Sequence, residues 1–543
     1  MKKLHCDVVI LGSGISSTIQ GMILAKSGLS VILLEKGSHP KFTIGESTVP
    51  QTSLMMSVLA TRYGVPEIAH LQSFQSVKTH ISPSSGIKKN IGFVYHHKSK
   101  PVSCKEFNQT SVGSKFHAEC HLFRQDIDVY MLQTAIRYGC KVFQNTRINN
   151  INIHDQGIRV STNNFNVSAQ YIIDGTGHSS LVAQLLNLRD KPCTLETHSR
   201  SIFTHMIDVK SFDSCVAKNC MAPSPWNQGT LHHLFDGGWL WVIPFNNHET
   251  ANNHLISVGL TLDTRKFPKS ADISPEEEFY KIIQGYPDII KQFSNAKPVR
   301  EWVSTDRIQY TSKKCVGARF CLLSHSTGFV DPFFSRGLYN TLETINSLSR
   351  TLLNAFKNNT FSDTHFNSVE VLQQGLISWN DKLVDGAYIS FSSFKLWNAW
   401  LRIWLLSSSY GVLRIINALA KYSETKDIQF LESLDTMDIP GAMAPNSINI
   451  MDLFSNAYNV IKKVESDQSS IDEASKYIFS MLLSSERYAI PIFPFQHEDK
   501  HVADIRPIAH LKLLYWMKFQ APIRVRQKYL NFKLSTMKKV ISG

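Results

Sequence analysis

The chain has few cysteines, and none stands in a spacing that binds metal or builds a disulfide framework. The nine are scattered, at Cys6, Cys104, Cys120, Cys140, Cys193, Cys215, Cys220, Cys315 and Cys321. Their number is odd and no pair forms C-x-x-C, so neither a disulfide network nor a zinc site is expected. A reducing cytoplasm suits such a chain. Long apolar runs are missing too. Residues 1–12 lack a signal-type apolar region and run straight into a strand. The most apolar stretch, 396–420, is interrupted by Asn398, Arg402, Arg414 and Asn417. It predicts a buried or interfacial helix and no transmembrane span. No internal repeat or low-complexity tract is present. Neither sign of charge is in large excess: 57 Lys and Arg against 44 Asp and Glu leave +13 over 543 residues. That balance permits an anionic partner without requiring one, and no nucleic-acid reading motif accompanies it. No cluster of metal ligands stands out, so no metal is expected.

What is there is the composition of an ordinary globular protein, 43% hydrophobic and 19% charged, long enough for two or three packed units. Residues 7–11 form a short apolar strand, 12–14 a tight turn and 15–27 a helix stopped by Gly28. A second apolar strand, 30–34, ends at Glu35. This is a βαβ unit. A helix over 125–138, a strand over 169–173, a strand over 320–323 and a helix over 338–355 read as later parts of the same domain. Alternating segments at 231–235, 239–245 and 254–262 predict a mostly antiparallel sheet on the substrate side. Beyond 357 the pattern is helical, with a polar loop expected over 436–447 and a basic helix face or docking surface over 521–539. The expected fold is α/β: a Rossmann-type domain, an antiparallel-sheet layer and a helical C-terminal region. The boundaries expected are 1–195, 196–310, 311–356 (a return to the first domain) and 357–543.

Gly12-Ser13-Gly14-Ile15-Ser16-Ser17 follows a strand and opens a helix, the context in which G-x-G-x-x-G has meaning. Gly12 permits the turn and Gly14 a close backbone approach to a pyrophosphate, which the helix N-terminus attracts. Ser17 replaces the third glycine, so looser helix–strand packing is expected there. Glu35 is placed to accept hydrogen bonds from ribose hydroxyls. NAD or FAD would satisfy this much. Three further segments point to FAD. Arg124 precedes a helix where two-domain flavoproteins hold the nucleotide. Asp174-Gly175-Thr176-Gly177 resembles the D-A/G-T-G turn of such enzymes. Gly328-Phe329-Val330-Asp331-Pro332 resembles their loop beside the isoalloxazine ring. Together they resemble the glutathione-reductase-type fold of flavin monooxygenases. No second dinucleotide motif is visible, so reduced flavin is expected from a separate flavin reductase.

Four stretches resemble the flavin-dependent halogenase family. Gly45-Glu46-Ser47-Thr48-Val49-Pro50 is similar to its G-E-S-x-x-P loop, with Glu46 and Ser47 expected at the cofactor. Trp239-Leu240-Trp241-Val242-Ile243-Pro244 matches W-x-W-x-I-P. Residues 329–337 match F-x-x-P-x-x-S-x-G, including Phe329, Pro332, Phe334, Ser335 and Gly337. Lys78 lies about as far past the G-E-S loop as the family's essential lysine. The resemblance covers the first two-thirds of the chain. It implies FADH2- and O2-dependent halogenation by chloride or bromide, with hypohalous acid directed by Lys78. It further implies a halide site at Ser335, Arg336 and Gly337, and a wall of Trp239, Trp241, Ile243 and Pro244 between flavin and substrate. On a strand, Trp239, Trp241 and Ile243 share one face.

Two departures narrow the reading. Phe334 stands where tryptophan halogenases carry a glutamate, so the chain is more similar to the phenol- and pyrrole-halogenating branch, whose substrates are free aromatics or are tethered to a carrier protein. Ser324-His325 stands where related flavoproteins have Gly-Asp, which predicts weaker flavin retention. A flavin-dependent hydroxylase or related reductase remains an alternative on this fold. A non-catalytic flavin-binding protein is another, motivated by Ser17 and Ser324-His325.

Overall fold

The computed structural model describes residues 2–112, 118–435, 450–485, 488–491, 493–503 and 507–542. A six-stranded sheet forms the nucleotide side, in the spatial order Val316–Gly317, Phe320–Leu322, Tyr171–Asp174, Val8–Leu11, Val31–Leu34, Lys141–Phe143. Every pairing is parallel except the first, an antiparallel edge. The three central strands are buried along their whole length. That is why they read as continuous apolar runs and not as alternating ones. Helix Ile15–Lys26 packs on this sheet and on helices Arg124–Arg137 and Gly337–Asn358. A smaller four-stranded sheet begins with Lys2–His5, which pairs in parallel with Phe165–Ala169.

The second large sheet has eight strands. Its spine runs Ser199–Ile207, Ile256–Asp263, Gly238–Pro244, Gly229–Phe235, Asn90–Tyr95, Phe107–Ser111. It is antiparallel throughout except where Gly229–Phe235 runs parallel to Asn90–Tyr95. Alternation divides the side chains of the central strands. Leu231, Leu240 and Val242 pack on helices Pro275–Ile283 and Pro287–Gln292. Phe93, Trp239, Trp241 and Ile243 face the C-terminal helices Asn367–Ser390 and Phe394–Thr425.

Helix Phe394–Thr425 is long and apolar enough to cross a membrane by length and composition, yet 72% of its most apolar window is buried inside the protein. Its buried Arg402 is tolerated because its guanidinium donates to the carbonyls of Pro494 and Lys500 and to Asn398 Oδ1. The stretch 436–447 lies outside the described residues. In the basic C-terminal segment, Arg524 and Lys533 are exposed. One expectation is corrected: Cys104 and Cys220 are joined in a disulfide across 116 residues of chain. Their spacing gave no sign of it, because the tertiary fold alone brings them together.

Candidate active site

A cavity of about 760 Å³ runs from the Gly12 turn to the Trp239 strand. It lies in the upper part of the roughly 300–1,000 Å³ range of small-molecule pockets, with room for an extended ligand. At the nucleotide end Gly12 adopts φ +85°, and a Cβ there would lie 2.9 Å from Gly175 O. Gly14 caps helix Ile15–Lys26 with no side-chain hydrogen bond, and a Cβ at Gly14 would meet nothing within 4 Å. The first N–H groups of that helix therefore face open space lined by Gly14, Ile15 and Ser16, the arrangement an anionic pyrophosphate completes. Ser17 lies beneath the cavity lining. Helix–strand packing is not loosened at Ser17: a Cβ on Gly175 would come within 2.1 Å of Ser17 Oγ. The missing side chain has moved across the contact, from helix to turn.

Glu35 lines the cavity and is held from several sides. Its Oε2 accepts from Ser13 N–H (3.0 Å), Ser13 Oγ (2.9 Å) and Lys41 Nζ (2.8 Å), and its Oε1 accepts from Gly37 N–H (2.9 Å). Burial disfavours its charge, but Lys41 and these donors outweigh it and hold the carboxyl at about 2. Oε1 keeps a lone pair for a ribose hydroxyl. Arg124 also reaches the lining. Its guanidinium is fixed by Asp128 (2.9 and 3.0 Å) and by the carbonyls of Ile44 and Gly45 (2.9 and 3.2 Å). Asp174 does not reach the cavity. Its carboxylate turns inward to accept from Thr176 N–H, Ser180 Oγ and Val182 N–H, and so shapes the Gly175–Thr176 turn that lines it.

The loop beyond Phe320–Leu322 gives a divided result. Phe329, Asp331, Pro332, Ser335 and Gly337 line the cavity; Gly328 lines a smaller one beside it. Gly328 is needed for packing, since a Cβ there would be 2.8 Å from Ile377 Cδ1 and 2.9 Å from Tyr310 O. Ser335 takes φ +53°, a left-handed turn just before helix Gly337–Asn358. Arg336 faces neither solvent nor the cavity. It is buried in the field of Tyr339 and Glu343, and burial lowers its pKa to about 10. His325 joins the lining, and Gly337 makes room for it: a Cβ there would be 3.0 Å from His325 Nε2. Burial and the Arg124 charge lower its pKa to about 4, so the imidazole is neutral.

At the far end stand Trp239, Trp241 and Ile243, the two indoles 5.5 Å apart. Trp239 Nε1 donates to Tyr388 OH (3.1 Å), and Asp331 Oδ2 accepts from both Tyr388 OH (3.1 Å) and Ser199 Oγ (2.6 Å). Trp241 Nε1 donates to Ser257 Oγ (3.2 Å), and its ring occupies the space a side chain at Gly259 would fill. Neither indole can swing. Pro244 and Phe334 do not line the cavity. Phe334 packs between Phe333 and Trp404, at 4.6 and 4.8 Å.

The lysine is a correction. Lys78 sits half-exposed on helix Phe74–His80, away from the cavity lining. Lys88, in strand Gly86–Lys88, is fully buried, and its Nζ donates to Ser47 Oγ (2.7 Å) and Thr48 O (2.6 Å). Ser47 and Thr230 both line the cavity and are 2.9 Å apart; Thr230 Oγ1 is 2.9 Å from His121 Nε2. His121 Nδ1 donates to Pro244 O (2.9 Å), a group that can only accept, so His121 Nε2 is bare. The direction of the chain follows: Lys88 donates to Ser47, Ser47 to Thr230, Thr230 to His121. Burial pushes the Lys88 ammonium down in pKa, opposed by Glu119, whose own carboxyl burial pushes up. The signal available in the sequence was the strand itself, where Lys88 has the buried parity and Ile87 and Lys89 do not.

A family model described as an FAD binding domain matches residues 5–284. Tetracycline 7-halogenase of Kitasatospora aureofaciens is 43% identical over 502 residues, 91% of this chain and 89% of that protein. Monodechloroaminopyrrolnitrin halogenase PrnC of Pseudomonas fluorescens is 41% identical over 538 residues, 97% of this chain and 94% of its own. The chain belongs to the flavin-dependent halogenases. The crystal structure of halogenase PltM with phloroglucinol and FAD superposes on this halogenase with a TM-score of 0.88 at 35% identity, covering 92% of this chain and 99% of that one. The residues present fit FAD: an open helix N-terminus, a Glu35 with a spare lone pair and a fixed Arg124 line one continuous cavity. Among the described residues no group of three or more His, Cys, Asp or Glu is placed to hold a metal.

Proposed function

We propose that this halogenase transfers chloride or bromide, as hypohalous acid, to an electron-rich phenol or pyrrole, and that Lys88 directs the transfer. The observation that carries this reading is the placing of Lys88 Nζ, 2.7 Å from the cavity-lining Ser47 Oγ, at the end of the cavity where the paired indoles stand. Reduced FAD, when bound, supplies with oxygen the two-electron oxidation of halide. Gly14, Ser16, Glu35, Glu46, Ser47 and Arg124 would hold it. The backbone N–H groups of Arg336 and Gly337 at a helix start would bind the halide, aimed by the left-handed turn at Ser335, whose own N–H is held by Pro332 O. Trp239 and Trp241, locked by Tyr388 and Ser257, separate the oxidation from the substrate. Lys88 then holds the oxidant, polarising it as an ammonium or carrying the halogen as an amine. Its burial favours the second role. In the substitution the halogen–oxygen bond breaks, a carbon–halogen bond forms, the ring loses a proton and oxygen leaves as water. A separate flavin reductase in the cytoplasm is the proposed electron source, and the substrate is a free aromatic or one tethered to a carrier protein.

The test supplies photoreduced FAD, oxygen, bromide or chloride and simple phenols or pyrroles, with products read by mass spectrometry. A halogen isotope pattern lost in Lys88→Ala is expected. Halide-independent hydroxylation overturns the reading.

A further inference from the structure

We propose that His232 is a further catalytic residue, whose Nε2 takes the proton of a ring-borne O–H or N–H as the aromatic substrate is halogenated. The proposal rests on the halogenase reading above. His232 lies on strand Gly229–Phe235, two residues beyond Thr230, on the face that carries Trp239 and Trp241. It lines the cavity although it is only 3% exposed. Its Nδ1 is 3.0 Å from Gly92 O. A carbonyl carries no hydrogen, so Nδ1 bears the proton and Nε2 is a bare acceptor. No described residue bonds to Nε2. The ring cannot turn to find another partner: it stacks on Phe93 (4.7 Å, 21°) and is flanked by Trp239 at 5.6 Å and Phe333 at 5.7 Å. A buried polar atom with a fixed direction, no protein partner and a cavity in front of it is a group waiting for a ligand's hydrogen.

Aromatic neighbours of this kind fit a flat ring, and the bare nitrogen selects rings bearing a donor. Burial, with Lys88 and His233 nearby, lowers its pKa to about 3. So weak a base cannot ionise a phenol in advance. It can deprotonate the cationic adduct formed as halogen adds, because that cation is a far stronger acid than the phenol. The ring's electron pair forms the carbon–halogen bond as the halogen–oxygen bond breaks. The O–H or N–H proton passes to Nε2 and leaves a neutral adduct. The ring C–H then breaks, Nε2 returns its proton to the oxygen or nitrogen, and the ring proton joins the departing hydroxide as water.

The test compares wild type with His232→Gln and His232→Asn, whose amides can still donate to Gly92 O. Each enzyme receives photoreduced FAD, oxygen and bromide, with monochlorodimedone trapping any hypohalous acid that escapes. Two probes are used at one pH: 4-methylphenol, un-ionised, and 4-cyanophenol, assayed where it is already the phenolate. The expected result is a product loss of about 10²-fold with 4-methylphenol, the lost oxidant reappearing in the trap, and a far smaller loss with 4-cyanophenol. Equal losses with both probes, or wild-type yield with 4-methylphenol, overturn the proposal. Binding of FAD, read by quenching of flavin fluorescence, shows that the variants are folded. If wild type gives neither brominated phenol nor trapped oxidant, it is the halogenase reading that fails.

Discussion

Helix Phe74–His80 and strand Gly86–Lys88 are separated by one short loop, and each carries a lysine. On the helix Lys78 is half in water and lies away from the cavity lining. On the strand Lys88 is sealed inside the protein, and its ammonium donates to Ser47 and Thr48. Ten residues of chain therefore separate a half-exposed side chain from one whose charge is disfavoured by burial. Distance along the chain is a poor guide to chemical role; burial and partners decide it.

The largest effect is expected from the strand. Lys88→Ala should lower halogenated product by roughly 10³-fold, while trapped hypohalous acid continues to form. A variant that still halogenates would remove the distinction between the two lysines. Next comes Gly175→Ala, where the new Cβ meets Ser17 Oγ at 2.1 Å. Forced repacking should cost about 1–3 kcal/mol and weaken FAD binding, read by thermal melting and flavin fluorescence. Thr230→Val cuts the directed chain between Ser47 and His121. The loss of two buried hydrogen bonds, about 1 kcal/mol each, should reduce product per flavin oxidised roughly tenfold. That reduction should vanish in the Lys88→Ala background if the chain acts through the lysine.

Glu35 supplies a pH test at the opposite end of the cavity. Its folded pKa of about 2 lies below the ordinary 4.5. Its stabilisation is thus fully present above 4.5 and lost as pH falls through the interval down to about 2. The melting-temperature gap between wild type and Glu35→Gln should narrow on acidification over that range. Smallest of all is Lys78→Ala, expected to keep activity within about twofold, as surface substitutions do. A large loss there would reverse the comparison.

Much of the nucleotide side was legible because its signals are short-range. The Gly12 turn, the helix after it and Glu35 lie within a single βαβ unit, and the buried strands announce themselves as apolar runs. The indole pair was legible from strand alternation. Other residues were legible in type and not in position. Asp174 was expected at the cofactor, but it spends its oxygens on its own turn. Arg336 was expected near halide or phosphate, but its side chain is buried beside Glu343. Phe334 belongs to an aromatic box behind the lining. His121, Thr230 and His232 carry no motif, and only the pairing of Gly229–Phe235 with Asn90–Tyr95 and Gly238–Pro244 brings them to the cavity.

The sequence by itself determined the elements and their order: which stretches are strands, where the first helix begins, and that a dinucleotide cradle and a pair of same-face tryptophans exist. Backbone sterics and the alternation of side chains act over a few residues, so a short window contains them. Tertiary structure decided which lysine is buried, which imidazole nitrogen is bare, and that Gly175 supplies the space Ser17 takes. Those properties depend on desolvation and hydrogen-bond partners brought together from distant parts of the chain, and no short window holds both sides of such a contact.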